Sequence, residues 1–517
     1  MQIRSRSILA GVCTIVAALM LSGVAVGDAE GRFGGQLVVA LESDPPMLDM
    51  QYSNQNLVRW VASHMNEQLY TFGEDFRPVP MLAEGHTISD DGRVYTIALR
   101  QGVTFHNGQE MTSEDVLASL QRWFDLSTVA SSIEYNVVSV TAPDRYTIEI
   151  ELAEPMGFII DALSTMRQGA AVYPKSVIDA TAEGDRITEY IGTGPYEFVE
   201  WREGSHILLR RYEDYAIRDE PPLGYGGGRT AYLDEIRFVF VADAAVRAVG
   251  LEAGDFHFAD PLSPDDFPRL DRNPDIEHVQ SPWMMTLNIN KAMGPTADVN
   301  VRRALLAAID AEELLMGVHG DPAFWRLDPA IMWQESAWWT DVGADRYNQA
   351  DPERARQLLD EAGYDGEPVR MAVSATQAVH YNASLILREQ LRQAGFNIQV
   401  DEYDLATHRA TTPDPTRWEI SPGQSSYREH PTMHLHMDRE NTGWWENDEK
   451  EELQRQLLIA DDPDEALALW EQIQELYYDD VPIVKIGDFF RLGGRRTSVQ
   501  GFADLPELFF WNVWLEE

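Results

Sequence analysis

Apolar and polar residues change period several times along the chain, and each change predicts a different element. Gln36 to Leu41 is a short apolar run with β-branched residues at its centre and reads as a strand. Leu57, Val58, Val61, Met65, Leu69 and Phe72 recur at helical spacing and predict an amphipathic helix. Tyr95 to Leu99, Val137 to Val140 and Tyr146 to Leu152 are β-rich. Between the first two of these, Thr112 with Asp115 forms a helix-start signal ahead of Val116, Leu120 and Trp123. Further strands are expected over Tyr196 to Trp201, His206 to Arg211 and Glu235 to Phe240.

After about residue 284 the helical period dominates. Asn300 is the expected cap of a helix carrying Val301, Leu305 and Ile309, and Asp351-Pro352 starts another that ends before Gly363. Val369 to Ser374, a helix around Tyr381 to Ala394 stopped by Gly395, and Ile398 to Val400 form a strand, helix, strand unit. Two late helices, Glu449 to Ile459 and Glu465 to Tyr478 behind Asp462-Pro463, lead into a strand at Pro482 to Ile486. The whole is an α/β pattern that fits two lobes with a cleft between them.

Charge narrows the partners. Across 517 residues, 85 Asp and Glu face 41 Lys and Arg, a net charge of -44, so a nucleic-acid backbone would be repelled over the whole surface. Only Lys175, Lys291, Lys450 and Lys485 are lysines, and a surface of carboxylate and Arg suits high salt, as in a marine or halophilic organism. Arg4 and Arg6 precede an apolar stretch from Ile8 to Val26, with small residues at Ala25, Gly27 and Ala29. Residues 1–29 therefore read as an export signal, with a single membrane anchor as the alternative. Cys13, the only cysteine, lies inside this segment, so the mature chain is expected to hold none and to work outside the cytoplasm.

Catalytic chemistry finds little support. Carboxylates are too abundant for any pair to mark glycoside hydrolysis. His430, His434 and His436 could share a face toward a metal, but Pro431 breaks their spacing, so a structural role is favoured and no metal or cofactor is assigned. His106 belongs to an Asn-Gly turn, and Gly226 to Gly228 lack the Lys-Ser/Thr of a phosphate loop. The unusual feature is Trp in loops: Trp283, Trp325, Trp333, Trp338, Trp339, Trp418, Trp444 and Trp445. Each is more readily explained as core, yet two or three of the group are expected to face a ligand.

Several motifs point further. Met81-Leu-Ala-Glu84, Ser89 through Gly108, and Met111-Thr-Ser-Glu-Asp-Val116 occur in order. Gly192-Thr-Gly-Pro-Tyr196, Val301-Arg-Arg-Ala-Leu305 with Ala308-Ile-Asp310, and Asp479-Asp-Val-Pro-Ile483 follow. Together they resemble the family 5 extracellular solute-binding proteins, the peptide and nickel class of ABC importer receptors. The resemblance implies a two-lobed periplasmic-binding-protein fold of the large cluster with an additional β-rich subdomain, at about 80–185, in lobe I. Lobe I would take residues 30–283 and the C-terminal return 487–517, and lobe II residues 284–486. The implied activity is capture of a solute in the periplasm by a monomer that hands it to an inner-membrane permease, rather than bond chemistry.

Peptide-binding relatives carry a Trp-x-x-Asp-Tyr-x-Asp-Pro-like stretch whose Asp pairs with a peptide amino terminus. The comparable stretch here runs from Trp418 to Pro431, with Tyr427 in place of the family's Tyr and Ser426 in place of its Asp. Glu419 or Glu429 could receive an amine instead, and Arg428 could fork a carboxylate. Asp44, Trp60, Trp283, Gln424 and Trp444 complete the candidate ligand-binding set. An oligopeptide or modified peptide is the expected ligand, with an oligosaccharide or another small polar or aromatic solute as the alternative. Restoring the acid with Ser426→Asp is expected to favour a free amine.

Overall fold

The computed structural model describes residues 31–434, 439 and 443–516. The expected export signal and His436 lie outside these residues. One large sheet runs through the molecule. Its strands lie in the order Ile398–Tyr403, Val369–Ser374, Ile420–Ser426, Ile276–Ile289, Ile483–Arg496, Phe258–Asp260, Gln36–Leu41, Glu235–Phe240, His206–Arg211 and Tyr196–Arg202. Parallel pairs flank Gln36–Leu41 on one side and Val369–Ser374 on the other, each on its own half of the sheet.

Two strands of 14 residues, Ile276–Ile289 and Ile483–Arg496, join the halves. At roughly 3.3 Å per residue each is about 46 Å long, enough to serve both cores. They pair antiparallel from Ile276 with Arg496 to Asn288 with Ile483, with a register shift between Met285 and Thr286. Positions 283/284 and 486/487 both fall inside this ladder.

Separate apolar cores sit on either side. One gathers Leu37, Val39, Ile236, Phe238 and Phe510; the other gathers Leu287, Leu305, Leu387, Trp470 and Ile473. A third belongs to a four-stranded antiparallel sheet, in the order Ala83–Ile88, Val94–Leu99, Thr147–Leu152, Val137–Asp144. Helix Ser113–Leu126 covers it with Val116, Leu120 and Trp123, and starts on a reciprocal Thr112 and Asp115 capping box. The architecture is thus a two-lobed α/β fold with an additional β-rich subdomain.

Most predicted elements form where the periodicity placed them, with two corrections. The stripe from Leu57 to Phe72 is not one helix: Asn56–Ala62 is helical, and Tyr70–Phe72 is a strand. The carbonyls of His64 and Met65 accept instead from Tyr196 and Gly194 N–H at 3.1 and 2.9 Å, so a distant loop takes bonds that a helix would have used. Glycine is required for that approach, since a Cβ on Gly192 would stand 2.0 Å from the Met65 carbonyl. His106 holds the same loop, with Nε2 3.0 Å from the Gly194 carbonyl. The second correction concerns helix Val299–Ala308, whose cap is Asp298, accepting from Asn300 N–H at 2.7 Å.

Candidate functional site

The long ladder creates a meeting point. In strand Ile276–Ile289, Trp283 stands opposite Ser426 on one side and Phe489 on the other. Strand Ile420–Ser426 ends there and delivers Tyr427 and Arg428 to the same place. Two small cavities of about 20 and 10 Å³ share Pro282, Trp283, Ser426 and Tyr427 as walls. Trp333 and Arg428 face the first; Trp60, Arg167, Arg491 and Glu507 face the second. Neither space holds more than about one water, so the walls lie closed on one another.

Aromatic rings make the walls. Tyr427 packs on Phe76 at 4.5 Å between ring centres and meets Trp333 edge-on at 6.4 Å. Trp60 is almost fully buried and donates its indole N–H to Glu507 at 2.9 Å. The Arg491 guanidinium lies 5.2 Å from the centre of the Trp60 ring and pairs with Asp260.

Charge is unevenly satisfied. Burial opposes ionisation of Glu507, but Arg59 at 2.6 Å and Arg167 at 3.5 Å hold its carboxyl below the usual range. Arg167 also donates to the Tyr427 carbonyl at 2.9 Å and stands 3.6 Å from Glu429. Arg428 differs. Its guanidinium donates to Ser426 Oγ at 3.3 Å and has no carboxylate within 4.0 Å among the described residues. Burial first, then Arg167, pull its pKa down to about 10. A cation held this way gains from a ligand anion.

Trp60, Trp283, Ser426, Tyr427 and Arg428 are therefore brought together, while five other candidates lie elsewhere. Asp44 accepts from Gly204 N–H at 2.5 Å and pins a hairpin turn. Glu419 clamps Arg370 through bonds of 2.6 and 2.9 Å. Trp418 is buried, donates to the Thr412 carbonyl at 3.0 Å and packs against Trp444. Gln424 is exposed, beside Met285. Arg59, Arg167, Arg491 and Glu507 escaped sequence reading, because an Arg or Glu in an acid-rich chain carries no local signature. His430 is buried with Nδ1 2.8 Å from Thr432 Oγ1, and among the described residues no His, Cys, Asp and Glu cluster has metal-binding geometry.

Compared with known proteins, residues 77–432 match the bacterial extracellular solute-binding proteins, family 5 (middle region). The chain belongs to that family. This family 5 member is 28% identical over 473 residues to a probable peptide ABC transporter periplasmic-binding protein of Sinorhizobium fredii, covering 86% of this chain and 87% of the relative. It is 26% identical to the glutathione-binding protein of Escherichia coli, covering 92% and 93%. Among solved structures, an ABC transporter substrate-binding protein of Listeria monocytogenes superposes with a TM-score of 0.79 at 19% identity, over 94% of this chain and all of that one. The oligopeptide-binding protein of Bacillus subtilis in complex with a nonapeptide gives 0.73 at 20%, over 94% and 100%. The two structural likenesses bear on the fold. Family membership makes the protein an extracytoplasmic solute-binding receptor of an ABC importer, a transport receptor rather than a catalyst.

Proposed function

We propose that this receptor captures a carboxylate-bearing peptide or modified peptide in the cleft beside Trp283 and Tyr427. The observation that carries the reading is Arg428, a guanidinium among aromatic walls with no carboxylate within 4.0 Å among the described residues. Ser426 stands at its side and supplies no negative charge for an amino terminus. Peptide-like ligands are also named for the Sinorhizobium and Escherichia relatives. A neutral oligosaccharide would use the rings but leave Arg428 unanswered.

In this reading residues 30–283 with 487–517 and residues 284–486 form the two lobes. They separate about the long ladder, admit ligand, and close before presentation to the inner-membrane permease. The receptor works as a monomer in the periplasm, and the excess of surface carboxylate is an adaptation to salt. Calorimetric titration of short peptides against their C-terminally amidated counterparts tests the ligand class. At least a tenfold preference for the free carboxylate is expected; equal affinity for both forms would remove the role given to Arg428.

A further inference from the structure

A larger cavity, of about 300 Å³, lies away from the cleft, between the β-rich subdomain and the hairpin of helices Asp448–Ile459 and Pro463–Asp480. Its two sides are pinned together. Gly157 and Phe158 N–H donate to the carbonyls of Ile459 and Leu458 at 3.2 and 3.1 Å, serving groups that a helix end leaves unpaired. A Cβ on Gly157 would lie 2.1 Å from the Ala460 carbonyl, so the approach depends on glycine. Beside this tight contact the space stays open, walled by Tyr95, Phe158 and Ile160 from one half and by Trp338, Leu457 and Ala466 from the other. The volume lies at the lower end of the range for small-molecule pockets.

The polar groups at the cavity set its sign. Asp161 faces the space and has no Lys, Arg or His nitrogen within 4.0 Å among the described residues. Asp461 and Asp462 add negative charge, although Asp462 is already engaged in capping its helix. Arg77 lies at the rim, half exposed and 3.7 Å from Asp75. The two imidazoles bring no positive charge at neutral pH. Burial depresses His430 to about 3, between the Phe158 and Trp338 rings, and lowers His86, whose Nδ1 is 3.0 Å from Tyr70 Oη. The Tyr95 hydroxyl is spent on the Met156 carbonyl at 3.0 Å.

We infer that this cavity is a second ligand site, selective for an apolar amine whose ammonium pairs with Asp161 while its aryl or branched alkyl body fills the aromatic walls. An anion would meet carboxylates, and a neutral compound would leave Asp161 unpaired in an apolar setting. Because the walls come from both halves, occupancy favours the closed arrangement and raises affinity in the central cleft by the same factor in both directions. Burial also pushes the Asp161 carboxyl up to about 7. An ammonium favours its ionised form, so affinity rises by about tenfold between pH 6 and pH 8, a window well above the depressed His430.

The test is calorimetric titration of the purified protein with 2-phenylethylamine, N-acetyl-2-phenylethylamine and phenylacetate. The amine is expected to bind one per chain and at least tenfold more tightly than either control. Asp161→Asn should lose about tenfold in affinity and all of the pH dependence. Ala466→Phe, which fills the space, should abolish binding. Equal affinity for all three compounds would overturn the inference, as would undiminished amine binding in Asp161→Asn or in Ala466→Phe variants that retain the parent melting temperature.

Discussion

The central cleft and the subdomain cavity are both built from two halves of the chain, yet their charges are arranged in opposite ways. In the cleft a buried anion, Glu507, is answered by Arg59 and Arg167, and a cation, Arg428, has no carboxylate within 4.0 Å among the described residues. In the cavity a carboxyl, Asp161, has no cationic nitrogen within 4.0 Å among the described residues, and burial lowers the pKa of the nearby imidazoles. One fold thus offers an anion-seeking place and a cation-seeking place, and the acid excess of the whole chain predicts neither. What decides is which charged group lacks an oppositely charged neighbour among the described residues once the backbone has closed.

The comparison is broken most directly by neutralising one carboxylate in each place. Glu507→Gln leaves Arg59 buried without its anion, and a loss of about 4 kcal/mol in urea unfolding is expected. Asp161→Asn removes a carboxyl that burial already disfavours, so equal or greater stability at pH 8 is expected. A similar loss in both variants would mean that the two places do not differ as described.

Ligand binding sharpens the same contrast. Arg428→Met should cost roughly 3 kcal/mol, about a hundredfold in affinity, for a carboxylate peptide in calorimetric titration. Next comes pH. Burial holds His430 at about 3 in the folded chain, below its ordinary value near 6.5. The unfolded chain therefore takes up the proton first as pH falls, and the stabilisation is complete above 6.5 and lost progressively below it. Between pH 6.5 and 5 the parent should lose about 2 kcal/mol more than His430→Gln, measured as the difference in unfolding slopes. The smallest effect expected is that of Ser426→Asp, about tenfold. Sequence reading expected this change to favour an amine; with Arg428 already 3.3 Å from Ser426, the new acid should pair internally and weaken carboxylate binding. Unchanged affinity would show that Arg428 does not engage the ligand.

The regular elements were legible because local pattern and tertiary role agree in them. Thr112 with Asp115, and Asp351 with Gly363, mark helix ends that the structure reproduces, since a cap is a short-range device. Residues 63–69 were misread because the competing partners, Gly194 and Tyr196, lie more than a hundred positions away. The cleft was partly legible for the same reason. Trp283, Ser426, Tyr427 and Arg428 lie on or directly after paired strands, whereas Arg59, Arg167 and Glu507 come from distant segments that only the closed chain brings together. Trp418 and Glu419 stand in the same motif but precede strand Ile420–Ser426, whose other end reaches the cleft, and they bond locally to Thr412 and Arg370.

In the function proposed above, the receptor closes on an anionic, chemically unchanged solute at Arg428. Denaturing the natively purified protein and measuring the intact mass and ionisation of what is released tests it most directly. One carboxylate-bearing peptide-like molecule per chain is expected, absent from the Arg428→Met protein. A neutral sugar, or the same molecule retained by Arg428→Met, would contradict it.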